Sequence, residues 1–164
     1  MATINPARVM TFSTPSDREV AFTRTFDAPR ALVWDAWTKP EHLQQWLLGP
    51  EGWTMPICEM DLRPGGAWRY GWHSPEGQGD DFEMSGVVKE VVPPARLVTT
   101  ERWGPDWPEA INTLVLVEED GRTTITLTSL YPSKEARDQA VATGMAKGVE
   151  ISFERLDGVL RTLA

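Results

Sequence analysis

The stretch SKEARDQAVATGMAKGVEISFERLDGVLRTLA, residues 133–164, decides the fold. Ser133 follows Pro132 and can cap a helix by accepting a backbone N–H, while Glu135 falls in the first turn, where the helix dipole favours an anion. Met145, Val149, Ser152, Leu156, Leu160 and Leu163 then recur at steps of three and four, with Val141, Phe153 and Val159 widening the stripe. Lys147, Glu150, Glu154, Asp157 and Arg161 fall largely on the opposite face. No proline interrupts the run, which predicts one amphipathic helix roughly 45 Å long at about 1.5 Å per residue. Such a helix needs a broad apolar surface to lie on. Gly144 and Gly148 each cost about 1 kcal/mol relative to alanine inside a helix. They serve either close backbone packing or room for a ligand between the helix and its partner.

That surface is supplied by the strands upstream. Met55 to Leu62 and Ala67 to His73 flank Arg63-Pro64-Gly65-Gly66, a turn in which proline fixes φ and glycine supplies a positive φ. A polar, glycine-rich loop from Ser74 to Asp80 follows. Phe82 to Val92 and Leu97 to Trp103 flank Pro93-Pro94, and Ile111 to Val117 and Thr123 to Leu130 flank Glu119-Asp120-Gly121. A further strand precedes them at Glu19 to Phe26, where Val20, Phe22 and Phe26 share a face that Arg24 interrupts. Asp27-Ala28-Pro29 then starts a short helix with Leu32, Val33, Ala36 and Trp37 on one side. Lys39-Pro40 breaks it and begins a second, carrying Leu43, Trp46 and Leu47 and ended by Gly49-Pro50-Glu51-Gly52. Residues 1–17 show no period and read as a flexible tail, which leaves 18–164 as a single domain. The order predicts an α+β fold: a curved antiparallel sheet of about seven strands, two short helices, and the long C-terminal helix lying over a central space.

Composition narrows the function classes. The 164 residues carry a net charge of −8, which disfavours nucleic-acid phosphates and anionic membrane surfaces as partners. The lone cysteine, Cys58, allows no internal disulfide and fits a reducing compartment. The start MATINPARVM lacks a signal peptide's apolar core, and no stretch approaches the ~20 apolar residues of a membrane span, so a cytoplasmic protein is expected. Eight tryptophans suit either core filling or a wall that grips a flat, greasy ligand.

Trp68, Tyr70 and Trp72 alternate onto one strand face. If that face is concave, they meet Trp103 from a later strand and Met145, Gly148, Val149, Ser152 and Phe153 from the long helix. These nine residues are the candidate lining of a pocket for a small apolar or aromatic ligand, with Tyr70 and Ser152 placed to orient a polar group; packing alone would use them as core. No metal or cofactor is expected. His42 and His73 lie in different elements, one on a helix surface and one at a strand end, and Cys58 reads as a small buried hydrophobe. Glu59 with Asp61, and Glu83 with Glu101, suit acid–base work if turned inward beside apolar walls, and otherwise form a solvated strand face. No phosphate loop or catalytic triad is present.

One set of motifs carries a family resemblance: Phe26-Asp-Ala-Pro-Arg30, Val33-Trp-Asp-Ala-Trp-Thr38, Pro40-Glu-His-Leu43, Trp46, Gly49-Pro50, Asp61-Leu-Arg-Pro-Gly-Gly66, Pro93-Pro94 with Arg96-Leu97, and Gly144-Met145 with Arg155-Leu156. Over roughly residues 18–163 the chain resembles the START-like SRPBCC superfamily, and within it the small stand-alone bacterial form of the family named after the activator of heat-shock protein 90 ATPase. The resemblance implies a helix-grip (START-like, Bet v-like) fold with an apolar cavity between sheet and long helix. The chain departs from the pattern at Val149, where many relatives carry tryptophan, and at Lys39, where an acidic cap is common; the first change enlarges the cavity beside Gly148. Relatives bind lipids, sterols, hormones or polyketides, and some act as cyclases or hydroxylase subunits, so fold alone does not name the activity. Three functions follow as expectations. The first is binding of a small hydrophobic or aromatic molecule; the second is a cyclase or hydrolase using Glu101 or Tyr70; the third is a module regulating a chaperone ATPase. A homodimer is compatible with each.

Overall fold

The computed structural model describes residues 9–164 except residue 78. Its elements are β1 (Thr11–Ser13), β2 (Glu19–Phe26), α1 (Arg30–Thr38), α2 (Pro40–Trp46), β3 (Thr54–Met60), β4 (Ala67–His73), β5 (Phe82–Val92), β6 (Arg96–Glu101), β7 (Ala110–Glu119), β8 (Arg122–Leu130), α3 (Lys134–Ala142) and α4 (Met145–Leu163). The strands form one antiparallel sheet in the order β1-β2-β8-β7-β6-β5-β4-β3. β3 to β8 are therefore a meander, and β2 adds beside its last strand. Because β2 and β3 sit toward opposite edges, α1 and α2 must carry the chain across the sheet. The expected α+β helix-grip architecture is present.

Three expectations change. The C-terminal helix is two helices, because Gly144 adopts φ 81°, a left-handed conformation that ends α3 and caps α4. Ser133 caps α3 as predicted, accepting from the Ala136 N–H at 3.1 Å. With 19 residues, α4 is only about 28 Å long. The sheet has eight strands, since β1 lies within the stretch read as a tail. Phe12 pairs with Phe22 across β1 and β2, and Ser16 O accepts from the buried Arg137 of α3 at 2.9 Å. Residues 1–8 lie outside the described residues.

The third change concerns Arg24 and Asp157. The helical pattern puts Asp157 on the solvent face, yet its carboxylate makes a bidentate pair with Arg24, the residue that interrupts the β2 face. The Arg24 side chain is 2% exposed and that of Asp157 16%. Arg24 also donates to Thr25 O and lies 4.7 Å over the Phe26 ring. Phe26 meets Phe153 of α4 edge-on at 5.7 Å. Strand and helix are thus locked by a charge pair beside an aromatic contact.

Removing one partner of a buried pair leaves the other charge uncompensated, at a cost of about 3–5 kcal/mol. Asp157→Ala is expected to lower the unfolding free energy by about that amount in urea titrations, and Asp157→Asn by less. A loss below about 1 kcal/mol for Asp157→Ala would show that the pair does not anchor the helix.

Candidate functional site

The strand register builds the site. Thr99 of β6 stands opposite Asn112 of β7, which stands opposite Ser129 of β8, giving a polar row across the sheet. The next row on the same face is Leu97, Leu114, Leu127 and Phe22. Trp68, Tyr70 and Trp72 of β4 extend this face, with Phe82 and Met84 of β5 between. All of these residues line one cavity of about 670 Å³, roofed by Met145, Gly148, Val149, Ser152 and Phe153 of α4. Its volume lies within the ~300–1,000 Å³ usual for small-molecule sites.

Six of the eight tryptophans face this space: Trp37, Trp53, Trp68, Trp72, Trp103 and Trp107. Three spend their single donor on the protein, Trp68 on Thr100 O at 2.9 Å, Trp72 on Leu47 O at 2.7 Å and Trp103 on Glu101 at 3.0 Å. Their polar edges are satisfied, and what remains for the cavity is ring surface. Gly86 makes the first arrangement sterically feasible. A Cβ there would lie 1.9 Å from Thr100 O and 2.7 Å from Trp68 Nε1.

Polar groups collect at one end. The Glu101 carboxylate accepts from Trp103 and Asn112, and Asn112 Oδ1 accepts from Ser129 Oγ at 2.7 Å. Tyr131 stands beside this chain with its hydroxyl 3.9 Å from Met145 Sδ at the start of α4. Burial pushes the Glu101 pKa above the ordinary carboxylate range, and the two donors only partly offset it. Burial also raises the Tyr70 and Tyr131 pKa values, with Glu101 adding to both. Among the described residues, no group of three or more His, Cys, Asp or Glu side chains could hold a metal ion.

All nine candidate residues line this cavity: Trp68, Tyr70, Trp72, Trp103, Met145, Gly148, Val149, Ser152 and Phe153. The role of Ser152 differs from the expectation, and at Gly148 the structure decides between the two alternatives. The Ser152 hydroxyl accepts from Gly49 N–H at 3.1 Å, so it holds the loop after α2 rather than standing free. Arg155 donates to Gly49 O and reinforces that tie. Gly148 serves room and not close packing, since a Cβ there would meet no atom within 4 Å. Among the carboxylates, only Glu101 of the pairs considered enters the cavity. Glu83 is turned outward onto Arg69 at 2.6 Å and Asp61 onto Arg63 at 2.8 Å, while Glu59 is exposed. Cys58 is partly buried and its thiol is pushed up to about 11, first by burial and then by Glu41 and Glu59, which leaves it inert as a nucleophile. His42 is half-buried rather than a plain surface residue, with Nδ1 buried and without a hydrogen-bond partner among the described residues. Asn112, Ser129 and Gly86 were not predicted. Their signal was cross-strand register, which one strand's alternation does not reveal.

The sequence profile described as "Activator of Hsp90 ATPase homolog 1-like protein" matches residues 27–161. A crystal structure of a Rhodobacter sphaeroides protein is similar at 31% identity and a TM-score of 0.86, covering 95% of this chain and 100% of that one. A Nitrosomonas europaea protein is similar at 26% identity and a TM-score of 0.79, covering 90% of this chain and 96% of its own. CalU16 from Micromonospora echinospora, at 23% identity and a TM-score of 0.63 over 93% and 83% of the two chains, shares the fold. No curated protein matches the chain.

Two outcomes follow from this geometry. Gly148→Ala is expected to stabilise the protein by about 1 kcal/mol, since it removes helix-breaking freedom without a clash; chemical denaturation that shows destabilisation would mean the site is closed. For Glu101, the folded state binds the proton more tightly than the unfolded chain. Its contribution is therefore fully favourable below the ordinary carboxylate pKa and is lost as pH rises toward the raised folded value. The Tm of Glu101→Gln relative to the native protein should increase as pH rises above the ordinary carboxylate pKa of about 4, and a flat difference would place Glu101 in contact with water.

Proposed function

The chain belongs to the activator of Hsp90 ATPase homolog 1-like family, within the SRPBCC superfamily, and on that premise we propose that it binds a small hydrophobic or aromatic molecule in the cavity between its sheet and α4. The observation that carries this reading is the unfilled space of about 670 Å³, walled by indole faces and leucines. An apolar lining with no side chain packed onto it forgoes dispersion contacts, and a chain this rich in large side chains had the means to fill the cavity. Instead the side chains that could do so are held back by hydrogen bonds behind the walls, and Gly148 and Val149 keep the roof thin. A ligand regains the lost contacts.

Native mass spectra of the freshly purified protein are expected to carry an extra mass that disappears on denaturation. Gly148→Phe, whose ring would occupy the open space under α4, should fold and lose that mass. A native protein without added mass that also fails to bind apolar dyes or small aromatics would remove the reading. Retention of the mass by a folded Gly148→Phe would move the site elsewhere.

A further inference from the structure

We propose that the cavity selects a hydrophobic organic cation, a protonated amine on an apolar or aromatic body, with Glu101 as its counter-charge and the faces of Trp68, Trp72 and Trp103 as its walls. This rests on the cavity-binding reading above and adds the ligand's charge.

The charged side chains lining the cavity are Asp80, Asp81 and Glu101; among the described lining residues there is no lysine, arginine or histidine. Asp80 and Asp81 are exposed and mark the mouth. Asp81 is held ionised there by the Ser74 N–H and by His73 at 2.9 Å. Glu101 lies within, and its partners Trp103 and Asn112 are neutral donors. No basic side chain pairs with it among the described residues. A carboxylate offers about four lone-pair sites, so capacity remains for a donor from a ligand. A half-buried carboxylate set in an apolar cavity without a cation is costly, and a ligand ammonium removes that cost where a hydroxyl does so only in part.

Two further features point the same way. Aromatic faces attract cations through their quadrupoles, most strongly indole, and these faces are what the tied tryptophans present. Tyr70 is 7% exposed on the cavity wall, and no protein group hydrogen-bonds its hydroxyl among the described residues, so this oxygen is available to accept from an ammonium N–H. A fatty carboxylate or another anion would instead approach a lining whose charges all repel it, on a chain of net charge −8.

A matched probe set separates charge from bulk: naphthylmethylamine, naphthylmethanol and naphthoate share one ring system and differ in the head group. Isothermal titration near neutral pH and low salt is expected to rank the amine about tenfold or more above the alcohol, with naphthoate weakest. Glu101→Gln should collapse the amine's advantage over the alcohol to about twofold. Equal affinity for amine and alcohol, a preference for naphthoate, or an amine preference unchanged in Glu101→Gln each overturns the cation assignment. Where Gly148→Phe abolishes that binding, the cavity reading survives. Binding of none of the three overturns the cation assignment, and together with the absence of a retained mass and of dye binding it overturns the cavity reading as well. If Glu101→Gln does not fold, the ranking in the native protein decides alone.

Discussion

Arg24 lies in the middle of β2 with 3% exposure, and an arginine has no neutral form to retreat to. Its charge is answered by Asp157, about three turns after the start of α4. That contact fixes both the rotation and the height of α4 over the sheet, because a carboxylate that must reach both guanidinium nitrogens tolerates little sliding. Phe153, one turn earlier, is thereby set against Phe26, and Met145, Gly148 and Val149, nearer the start of the helix, are carried over the cavity. The C-terminal half of α4 is core and the N-terminal half is roof. Ser152, Phe153, Leu156, Val159 and Leu160 are buried, whereas the residues before Ser152 are only partly so or exposed.

The sheet beneath that roof is graded in polarity. Antiparallel register aligns Leu97, Leu114, Leu127 and Phe22 in one row and Thr99, Asn112 and Ser129 in the next, with Glu101 beyond them. Since side chains alternate with period two, a slip of one residue in β7 would turn both rows outward together. The hydrogen bonds from Ser129 to Asn112 and from Asn112 to Glu101 hold the polar end as a directed chain. One pairing pattern therefore sets both the greasy floor and the hydrogen-bonding end of the cavity.

Much of this was legible in the chain. Alternation placed β2 to β8, proline and glycine marked the turns, and the aromatic strand at Trp68, Tyr70 and Trp72 with the apolar face of α4 located the cavity lining. Where reading failed, the determinant was tertiary. The break at Gly144 looks like a tolerated helical glycine until its positive φ is seen, and a heptad-like stripe does not show whether the axis bends. Asp157 reads as a solvent residue because its partner is 133 positions away. β1 has three residues and no internal pattern, so its pairing depends on Phe12 meeting Phe22. Glu101 was visible as a candidate, but that it turns inward while Glu83 turns onto Arg69 is decided by the local pleat of paired strands.

Keeping an apolar space open requires that its walls be held from behind. Trp68 is fastened to Thr100 O through the gap left by Gly86, and Trp72 to Leu47 O, so neither indole can rotate inward without breaking a hydrogen bond, the first of them buried and costing about 1–3 kcal/mol to break. The loop after α2 is fastened in turn, with Gly49 giving its N–H to Ser152 and its carbonyl to Arg155 of α4. Roof, mouth and aromatic wall are thus joined through backbone groups rather than through contacts across the void. The cavity is a consequence of where the hydrogen bonds go, and its interior is left with ring faces and aliphatic surface leading to one polar end at Thr99, Asn112, Ser129 and Glu101.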